Sequence, residues 1–457
     1  MPPKRVRVSE GSCWRCKDRR VLCDVQKPVC TRCEAAGVKC EYGVRLKWAG
    51  GVAARGRFAG QLVPVKSPSP TATPTLQIQS PSIPDDWQVL YFSREVLPRF
   101  SLMDDGPGID PAWLVTDSSI HQAVIAVANA HRLFKNHAAW EETLSHIKQA
   151  RLTAIRSLRT RLQESFELSH TITFPSSVLL CMLDGIIEPQ DDGLAAGFHL
   201  RGGRAILQHG NHMTEVSSTK SGPISLLLSV YATMDLTYAI MGGEAPHLGP
   251  EVWLQLAGSE AWWTGISDDH AFVDIMALLA QLAQLGHDAH TTGFVVPIRD
   301  LLEIQLTLGR TELRLENLAL PSASGDICQS IDGLTIFCSA YRATARIYMY
   351  RALCNLDISD VLVQESVQEG VDALQQGPEI GKLAHCLLFP CLMIGAHCID
   401  SDAQQTVLSS LEIADEYLSF GSVKVMEAFL KDIWSAGNLQ ADFWTMMRPV
   451  STKAFMF

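Results

Sequence analysis

The stretch that decides the fold is CWRCKDRRVLC, residues 13–23, which is soon followed by CTRCEAAGVKC, residues 30–40. Both stretches have the spacing C-x2-C-x6-C, and six residues separate them. C-x2-C is the usual local chelate of tetrahedral zinc. Two such zinc ions need eight metal–sulfur bonds, which six thiolates supply when two of them bridge. The repeat therefore predicts two zinc ions, Zn(II), bound by Cys13, Cys16, Cys23, Cys30, Cys33 and Cys40.

A disulfide knot is the other common use of clustered cysteines. Such knots form in oxidising compartments. The preceding segment, MPPKRVRVSEGS, has the charge of a secretory signal but lacks its apolar core. The agreement of both cysteine pairs and all the gaps favours the metal interpretation.

Charge is unevenly distributed along the chain. Residues 1–60 hold 14 Lys+Arg against 5 Asp+Glu, a net +9, which leaves 24 against 44, a net −20, for the rest. A basic arm on an acidic body is typical of a nucleic-acid-binding module joined to a different kind of domain. Cations could also neutralise the cluster, but the first cysteine repeat is far richer in them than the second, which favours DNA contact. The candidate DNA-binding residues are Arg15, Lys17, Arg19, Arg20, Arg45 and Lys47.

The spacing of residues 13–40, with Pro28 in the loop before the fourth cysteine, resembles that of the fungal zinc binuclear cluster transcription factors. In that family the first and fourth cysteines bridge the two zinc ions. The resemblance implies that Cys13 and Cys30 bridge, that Cys16 and Cys23 complete one site, and that Cys33 and Cys40 complete the other.

The same resemblance implies roles for the cations. The family's basic residues after the second cysteine contact a CGG triplet, and the matching positions here are Lys17, Arg19 and Arg20. Asp18 departs from the family pattern, which has an uncharged residue there.

The remaining chain divides by composition. Residues 1–12 read as a disordered basic leader and residues 13–40 as the cluster. Residues 41–84 are basic at first and then rich in Pro, Ser and Thr, which make up 13 of the 21 residues from 64 to 84. Such a segment cannot bury a core and predicts a flexible linker. Residues 85–457 are long enough for a large core.

Helical periodicity dominates residues 85–457. Alternating strand patterns are scarce, and the most apolar stretch, residues 222–243, contains Asp235, so no membrane span is predicted. The predicted fold class is mainly α, with a small N-terminal binuclear zinc cluster module, a flexible linker and a large, soluble all-α-helical regulatory domain. Helix faces are predicted from Trp140, Leu144, Ile147, Ile155, Leu158 and Leu162, and from Val423, Met426, Leu430 and Ile433 with a stop at Gly437.

Three passages of this body are similar to the fungal-specific transcription factor domain. They are YFSREVLPRFS at 91–101, FHLRGGRAIL at 198–207 and FPCLMIGAHC at 389–398. In the second passage Phe198 and Gly203 stand where that domain has Trp and Ala, and both are expected to serve packing.

Other chemistry finds little support. The group His385, Cys386, Cys391, His397 and Cys398 does not have the gaps of a standard zinc chelate, and its apolar neighbours favour core packing. The chain has no G-x-S-x-G, G-x-G-x-x-G or P-loop motif, so it is not expected to be an enzyme.

The sequence therefore predicts a zinc-dependent, sequence-specific DNA-binding regulator of RNA polymerase II transcription in the nucleus, reading CGG-type triplets in the major groove. The alternatives are a zinc-dependent RNA-binding or protein-interaction module and an enzyme tethered to DNA. Expected partners are double-stranded DNA, a homodimer or heterodimer partner, the transcription machinery and a small-molecule effector, with no membrane. A dimer is expected because one cluster reads few base pairs among the many sites of a genome.

Overall fold

The cysteine-rich segment and the helical body belong to different parts of the molecule. In the computed structural model, contacts divide the chain into two units, residues 1–78 and 79–457. The structure describes residues 12–19, 21–42, 86–103, 108–136, 140–164, 170–189, 194–209, 212–266, 269–318, 331–437, 441–451 and 453–454. The predicted leader apart from Ser12, and nearly all of the predicted linker, lie outside these residues.

The first unit contains two short helices, α1 (Trp14–Asp18) and α2 (Thr31–Ala35). Each begins directly after a cysteine with extended backbone, Cys13 or Cys30. Helices of five residues are not stable on their own in water. Among the described residues of this unit, the buried apolar side chains are cysteines, so the fold of these residues depends on what those cysteines bind.

The second unit is built from helices throughout its described residues. Its first half comprises α3 (Trp87–Tyr91), α4 (Ser118–Asn136), α5 (Trp140–Glu164), α6 (His170–Met182), α7 (Leu194–Gln208), α8 (His212–Ser218), α9 (Pro223–Gly242) and α10 (Pro250–Leu256). Its second half comprises α11 (Asp269–Thr292), α12 (Ile298–Leu318), α13 (Ile331–Tyr348), α14 (Val361–Gln375), α15 (Leu388–Gly395), α16 (Ser401–Leu418), α17 (Gly421–Ala436) and α18 (Phe443–Ser451).

Shorter irregular helical turns extend this pattern. Tighter or wider turns run over Phe92–Val96, Leu97–Phe100, Trp113–Val115, Leu183–Ile187, Met349–Leu353 and Gly377–Leu387. Outside helices, the described residues contain one isolated bridge, between Thr264 and Ile266, and no strand. The mainly-α fold class is therefore confirmed.

Local sequence sets several helix boundaries. The carboxylates of Asp86, Asp360 and Asp400 accept hydrogen bonds from backbone N–H groups at the starts of α3, α14 and α16. At the other end of a helix, Gly437 takes the left-handed conformation (φ 59°) directly after α17. The predicted stop at this glycine is confirmed.

The core of the second unit surrounds α9, which is buried along most of its length. Among the described helices it is the one that is long and apolar enough to cross a membrane by length and composition. However, 89% of its most apolar 18-residue segment is buried inside the protein. Next to it, Trp253, Trp262 and Trp263 are fully buried: Trp253 stacks on Trp263, and Trp262 and Trp263 meet each other and Phe272 edge to face. Aromatic packing of this kind contributes more than its buried area alone.

The predicted helix faces agree with the structure at most positions. On α5, Ile147 and Leu158 are buried and Ile155 is half-buried, but Leu162 is 42% exposed, so the predicted face ends before it. The side chains of Trp140 and Leu144, predicted for the same face, lie outside the part of the chain that the structure describes. On α17, Val423, Met426 and Leu430 are buried and Ile433 packs against the core.

Candidate metal centre

The six cysteines of the repeat gather in one place. Their sulfur atoms form two groups of four, Cys13, Cys16, Cys23 and Cys30, and Cys13, Cys30, Cys33 and Cys40, within which all sulfurs lie within 4.8 Å of one another. Cys13 and Cys30 belong to both groups. These two residues occupy the same position in the two halves of the repeat, directly before α1 and α2.

The sulfur separations distinguish a metal centre from a disulfide knot. The Sγ atom of Cys13 lies 3.7 Å from that of Cys30 and 3.6 Å from that of Cys33, and Cys16 and Cys30 are separated by 3.7 Å. Disulfide sulfurs lie about 2.05 Å apart. Four thiolates about 2.3 Å from a tetrahedral zinc ion lie about 3.8 Å from one another. The donor set therefore fits zinc and does not fit cystine.

The protonation chemistry of these thiols also calls for a cation. Burial raises the pKa of Cys16 and raises the pKa of Cys33 to about 12. In contrast, the backbone N–H of Cys30 donates to the sulfur of Cys40 at 3.4 Å and lowers the pKa of that thiol. Because zinc ligation requires thiolates, bound zinc supplies the positive charge that lets all six be ionised together.

The two halves of the repeat fold alike. The backbone N–H of Val21 donates to the carbonyl of Cys16 at 3.1 Å, and that of Val38 donates to the carbonyl of Cys33 at 3.1 Å. Each half is thus a cysteine, a short helix and a closing turn. Side chains at equivalent positions of α1 and α2 can therefore be compared directly.

That comparison separates two kinds of cation. Arg15 and Arg32 are equivalent, because each directly precedes the second cysteine of its half, and both are exposed. By contrast, Lys17 corresponds to Glu34 and Arg19 to Ala36. The shared arginine suits compensation of the cluster's negative charge, whereas the unshared cations need a different explanation.

The cations of the first half are available to a ligand. Arg15 and Arg19 are exposed and have no carboxylate partner among the described residues. The ammonium group of Lys17 lies over the ring of Trp14, 4.5 Å from its centroid. This contact fixes the lysine on the surface of α1. The other predicted DNA-binding residues, Arg20, Arg45 and Lys47, lie outside the described residues.

Two supporting side chains were not identified from the sequence. Asp24 accepts a hydrogen bond from the backbone N–H of Thr31 at 3.1 Å, at the start of α2. Tyr42 donates to the carbonyl of Gln26 at 2.7 Å and lies 3.9 Å from the sulfur of Cys23. Neither belongs to the cysteine spacing, which is why the repeat gave no signal for them.

The second group of cysteines and histidines is not gathered into a site. The described residues contain no cluster of three or more potential metal ligands outside residues 13–40. His397 bonds the carbonyl of Met393 at 2.7 Å, and the thiol of Cys398 donates to the carbonyl of Ile394 at 3.3 Å. Burial raises the pKa of Cys398 to about 12. These side chains are part of the core, as the sequence predicted.

The passage at 198–207 lies on α7, where one expected packing role is correct and the other is wrong. A Cβ on Gly203 would lie 2.7 Å from the ring of Tyr231, so this glycine permits close packing. Phe198 is instead 61% exposed, with the guanidinium of Arg201 over its ring at 5.0 Å. An exposed aromatic ring at this position cannot contribute to the core.

Two family profiles match the chain. The fungal Zn(2)-Cys(6) binuclear cluster domain matches residues 11–49, and the fungal specific transcription factor domain matches residues 90–457, more than half of the chain. The chain belongs to the fungal Zn(2)-Cys(6) transcription factors. The cluster domain of this family binds two zinc ions, and the sulfur geometry described above can hold them. The family consists of transcriptional regulators and not of enzymes.

Individual relatives match over shorter regions. The phomenoic acid biosynthesis cluster-specific transcriptional regulator of Leptosphaeria maculans is 37% identical over 86 residues, 17% of this chain and 16% of that regulator. The aspercryptin biosynthesis cluster-specific transcription regulator of Emericella nidulans is 22% identical over 268 residues, 54% and 42% of the two chains. The thiamine biosynthesis regulatory protein of Saccharomyces cerevisiae is 38% identical over 48 residues, 10% of each chain.

These alignments span less than half the length of each of those relatives. No solved structure matches the chain.

Proposed function

We propose that this Zn(2)-Cys(6) transcription factor recognises a specific double-stranded DNA sequence through α1 and thereby regulates RNA polymerase II transcription in the nucleus. The observation that carries the proposal is the difference between two otherwise equivalent halves. Lys17 on α1 and Arg19 directly after it stand where the second half has Glu34 on α2 and Ala36 directly after it. Neutralisation of a symmetric cluster does not require such a difference, whereas docking of one helix on DNA does.

The ligand assignment belongs to the same proposal. Cys13 and Cys30 bridge the two zinc ions, Cys16 and Cys23 complete one site, and Cys33 and Cys40 complete the other. The two overlapping groups of sulfur atoms support this division, since the proposed bridging residues are the two that the groups share. Zinc bound in this way would hold α1 and α2 in place, since the described residues of the unit form no other core.

The exposed cations of α1 define how bases are read. Arginine and lysine recognise guanine through O6 and N7 in the major groove. Arg19, together with Arg20, is proposed to read the guanines of a CGG-type triplet. Lys17, held against Trp14, is proposed to contact phosphate. Arg15, and Arg45 and Lys47 beyond the cluster, add contacts to the backbone.

Recognition of single-stranded RNA is the competing function. It relies on aromatic side chains that are free to stack on splayed bases. In the described part of the cluster unit, Trp14 is covered by Lys17, and the hydroxyl of Tyr42 bonds Gln26 within the unit. The aromatic residues are thus used inside the fold, which favours duplex DNA.

The helical unit is proposed to mediate the remaining interactions. These are a second copy of the chain or a related chain, the transcription machinery and a small-molecule effector. An apolar groove of 770 Å³ between α17 and α18 has the size and lining of a ligand pocket. Its apolar lining includes Val425, Phe429, Ile433 and Met446.

The test is a matched pair of arginine variants, Arg19→Ala and Arg32→Ala, in the full chain loaded with zinc. Both remove one positive charge from the cluster unit, but only the first removes it from the proposed reading face. Arg19→Ala is expected to weaken binding to a CGG site by about 1–3 kcal/mol and to relax discrimination at one base pair. Arg32→Ala is expected to keep base discrimination. Equal effects of the two variants on base preference would contradict the proposal.

A third variant separates base reading from phosphate contact. Lys17→Ala is expected to weaken binding to all duplexes alike and to reduce the dependence of log K on log salt by about one unit. Binding titrations at several salt concentrations on matched and mutated sites give both quantities. Tighter binding to single-stranded RNA than to any duplex would favour the competing function.

A further inference from the structure

Helix α12 carries two apolar stripes, and only one of them faces the core. Ile304 and Leu308 are buried in the hydrophobic core. A second stripe follows the spacing of three to four residues that places side chains on one helix face. Its members are exposed: Ile298 by 75%, Leu302 by 58%, Leu306 by 62% and Leu313 by 59%.

The exposed stripe is large for a surface that meets only water. Between Ile298 and Leu313 it extends about 22 Å along the helix, and Val295, directly before the helix, is 84% exposed. Isolated exposed aliphatic residues are common, but contiguous apolar patches mark sites of association. An amphipathic helix needs one apolar face to pack on its own protein. The second face of α12 is therefore a candidate site of association.

A glycine interrupts the stripe and shapes it for another helix. Gly309 lies between Leu306 and Leu313, and a Cβ built on it would meet nothing within 4 Å. The absence of a side chain leaves a hollow of 380 Å³, lined in part by these two leucines. Such a hollow can receive a side chain from a helix packed against α12.

The charges beside the stripe identify the partner. Glu303 and Arg310 flank it on the same side, both are exposed, and neither has an ion-pair partner among the described residues. They are seven residues apart, too far to pair along one helix. When two copies of α12 pack antiparallel, the same flanks face each other, so Glu303 meets the partner's Arg310 and Arg310 meets the partner's Glu303. Two opposite charges are thus matched twice by one two-fold axis near Leu306.

The flanking charge on the other side is already used within the chain. Glu312 forms ion pairs with Arg342 at 3.4 Å and with Arg346 at 3.6 Å. It therefore contributes to the packing of α12 on α13 and leaves the first flank as the one with unpaired charges.

We infer that the exposed stripe of α12 is a self-association surface on which a second copy of this chain docks antiparallel. This inference deepens the proposed dimer and rests on that part of the proposed function. It is independent of how the cluster reads DNA, because the surface lies wholly within the helical unit. The two proposals can therefore fail separately.

A charge swap in the full, zinc-loaded chain tests the inference by sedimentation equilibrium without DNA. Glu303→Arg and Arg310→Glu are each expected to raise the dimer dissociation constant about tenfold or more, since each places like charges opposite one another twice. The double variant Glu303→Arg with Arg310→Glu is expected to restore the wild-type constant. The double variant can restore dimerisation only if both subunits carry both substitutions. This is the case when the two subunits are copies of the same chain.

An apolar variant with a matched control completes the test. Leu306→Lys is expected to give a monomer across the micromolar range, whereas Leu152→Lys, at a 47% exposed leucine on α5, is expected to leave the dimer intact. Circular dichroism checks that both remain folded. A wild-type chain that is monomeric throughout this range, or a dimer unaffected by both the swap and Leu306→Lys, overturns the inference. Loss of base discrimination in Arg19→Ala without a change in the dimer dissociation constant bears only on the proposal that the cluster unit reads DNA.

Discussion

Cysteines serve opposite purposes in the two units of this protein. In the cluster unit the buried core consists of cysteine side chains whose sulfurs approach one another within 3.6–3.7 Å. In the helical unit Cys181, Cys338 and Cys391 are equally buried but are surrounded by aliphatic and aromatic side chains. Burial of a thiol therefore does not make a metal site. Convergence of several sulfurs does, so the cluster unit is expected to depend on metal and the helical unit is expected to fold without it.

Removal of the metal is expected to show the largest difference between the two units. Chelation of the full chain is expected to unfold the cluster unit and to leave the helical unit folded, because zinc binding supplies about 10–16 kcal/mol to modules of this kind. Circular dichroism should lose little helix signal, since α1 and α2 are only five residues each. A chromogenic chelator should count two zinc ions released per chain. Loss of most of the helix signal on chelation would contradict the separation.

Single cysteine variants test which sulfur atoms are shared by the two zinc ions. Cys13→Ala removes a sulfur from both groups of four and is expected to cost both zinc ions, whereas Cys23→Ala removes one from a single group. Cys181→Ala, in the helical core, is the matched control and should retain two. Zinc content measured on the purified chains decides between these outcomes. Identical zinc loss in Cys13→Ala and Cys23→Ala would argue against the bridging assignment.

A substitution in the core of the helical unit is expected to destabilise that unit without loss of zinc. Trp262→Ala is expected to lower the free energy of unfolding by about 3–5 kcal/mol, the usual cost of removing a buried aromatic side chain. The indole of Trp262 is fully buried and donates to the hydroxyl of Thr233 at 2.9 Å. Urea unfolding followed by circular dichroism measures the loss, and the zinc content should not change.

An exposed aromatic residue provides the control for this variant. Phe198→Ala is expected to change stability by less than about 0.5 kcal/mol, because the ring is 61% exposed. The result also checks a correction to the sequence analysis, which expected Phe198 to pack in the core. A loss as large as that of Trp262→Ala would restore the packing role.

Most of the features that could be predicted from the sequence followed from the spacing of residues along the chain. C-x2-C-x6-C twice over identifies the cluster because zinc chelation is local in sequence, and the stop at Gly437 follows from backbone conformation alone. Contacts between distant residues leave no such pattern. Nothing in the local sequence distinguishes exposed Phe198 from a core aromatic, or shows that Asp24 reaches Thr31. The outer stripe of α12 was likewise hidden, because a helix with two apolar stripes reads as an ordinary buried helix.

Acid is expected to destabilise the helical unit through the protonation of buried histidines. In the helical unit four histidines have depressed pKa values because burial disfavours the charged imidazole: the pKa falls to about 4 in His131 and His247 and to about 3 in His385 and His397. Each must take up a proton on unfolding in acid. Asp235 and Glu188 act in the opposite direction, since burial raises the pKa of both carboxyl groups, to about 7 in Asp235. These two carboxyl groups are outweighed by the four imidazoles.

The expected sign follows from the histidines. A base whose folded-state pKa lies below its ordinary value of 6.5 stabilises the fold above that pH, and the contribution is lost as the pH falls toward the folded-state pKa. The free energy of unfolding of the helical unit is therefore expected to fall as the pH decreases from about 6.5 to 4, by about 1.4 kcal/mol per pH unit for each histidine.

His397→Gln isolates one of these contributions. His397 is fully buried, its Nδ1 bonds the carbonyl of Met393, and the positive charge of Arg351 also opposes its protonation. Glutamine cannot titrate, so the slope of stability against pH should be shallower by one histidine's share, whatever the variant does to stability at neutral pH. Urea unfolding at several pH values between 4 and 7 gives these slopes. An unaltered slope in His397→Gln would show that this imidazole stays neutral on unfolding or is already charged in the fold, and the burial argument would fail for it.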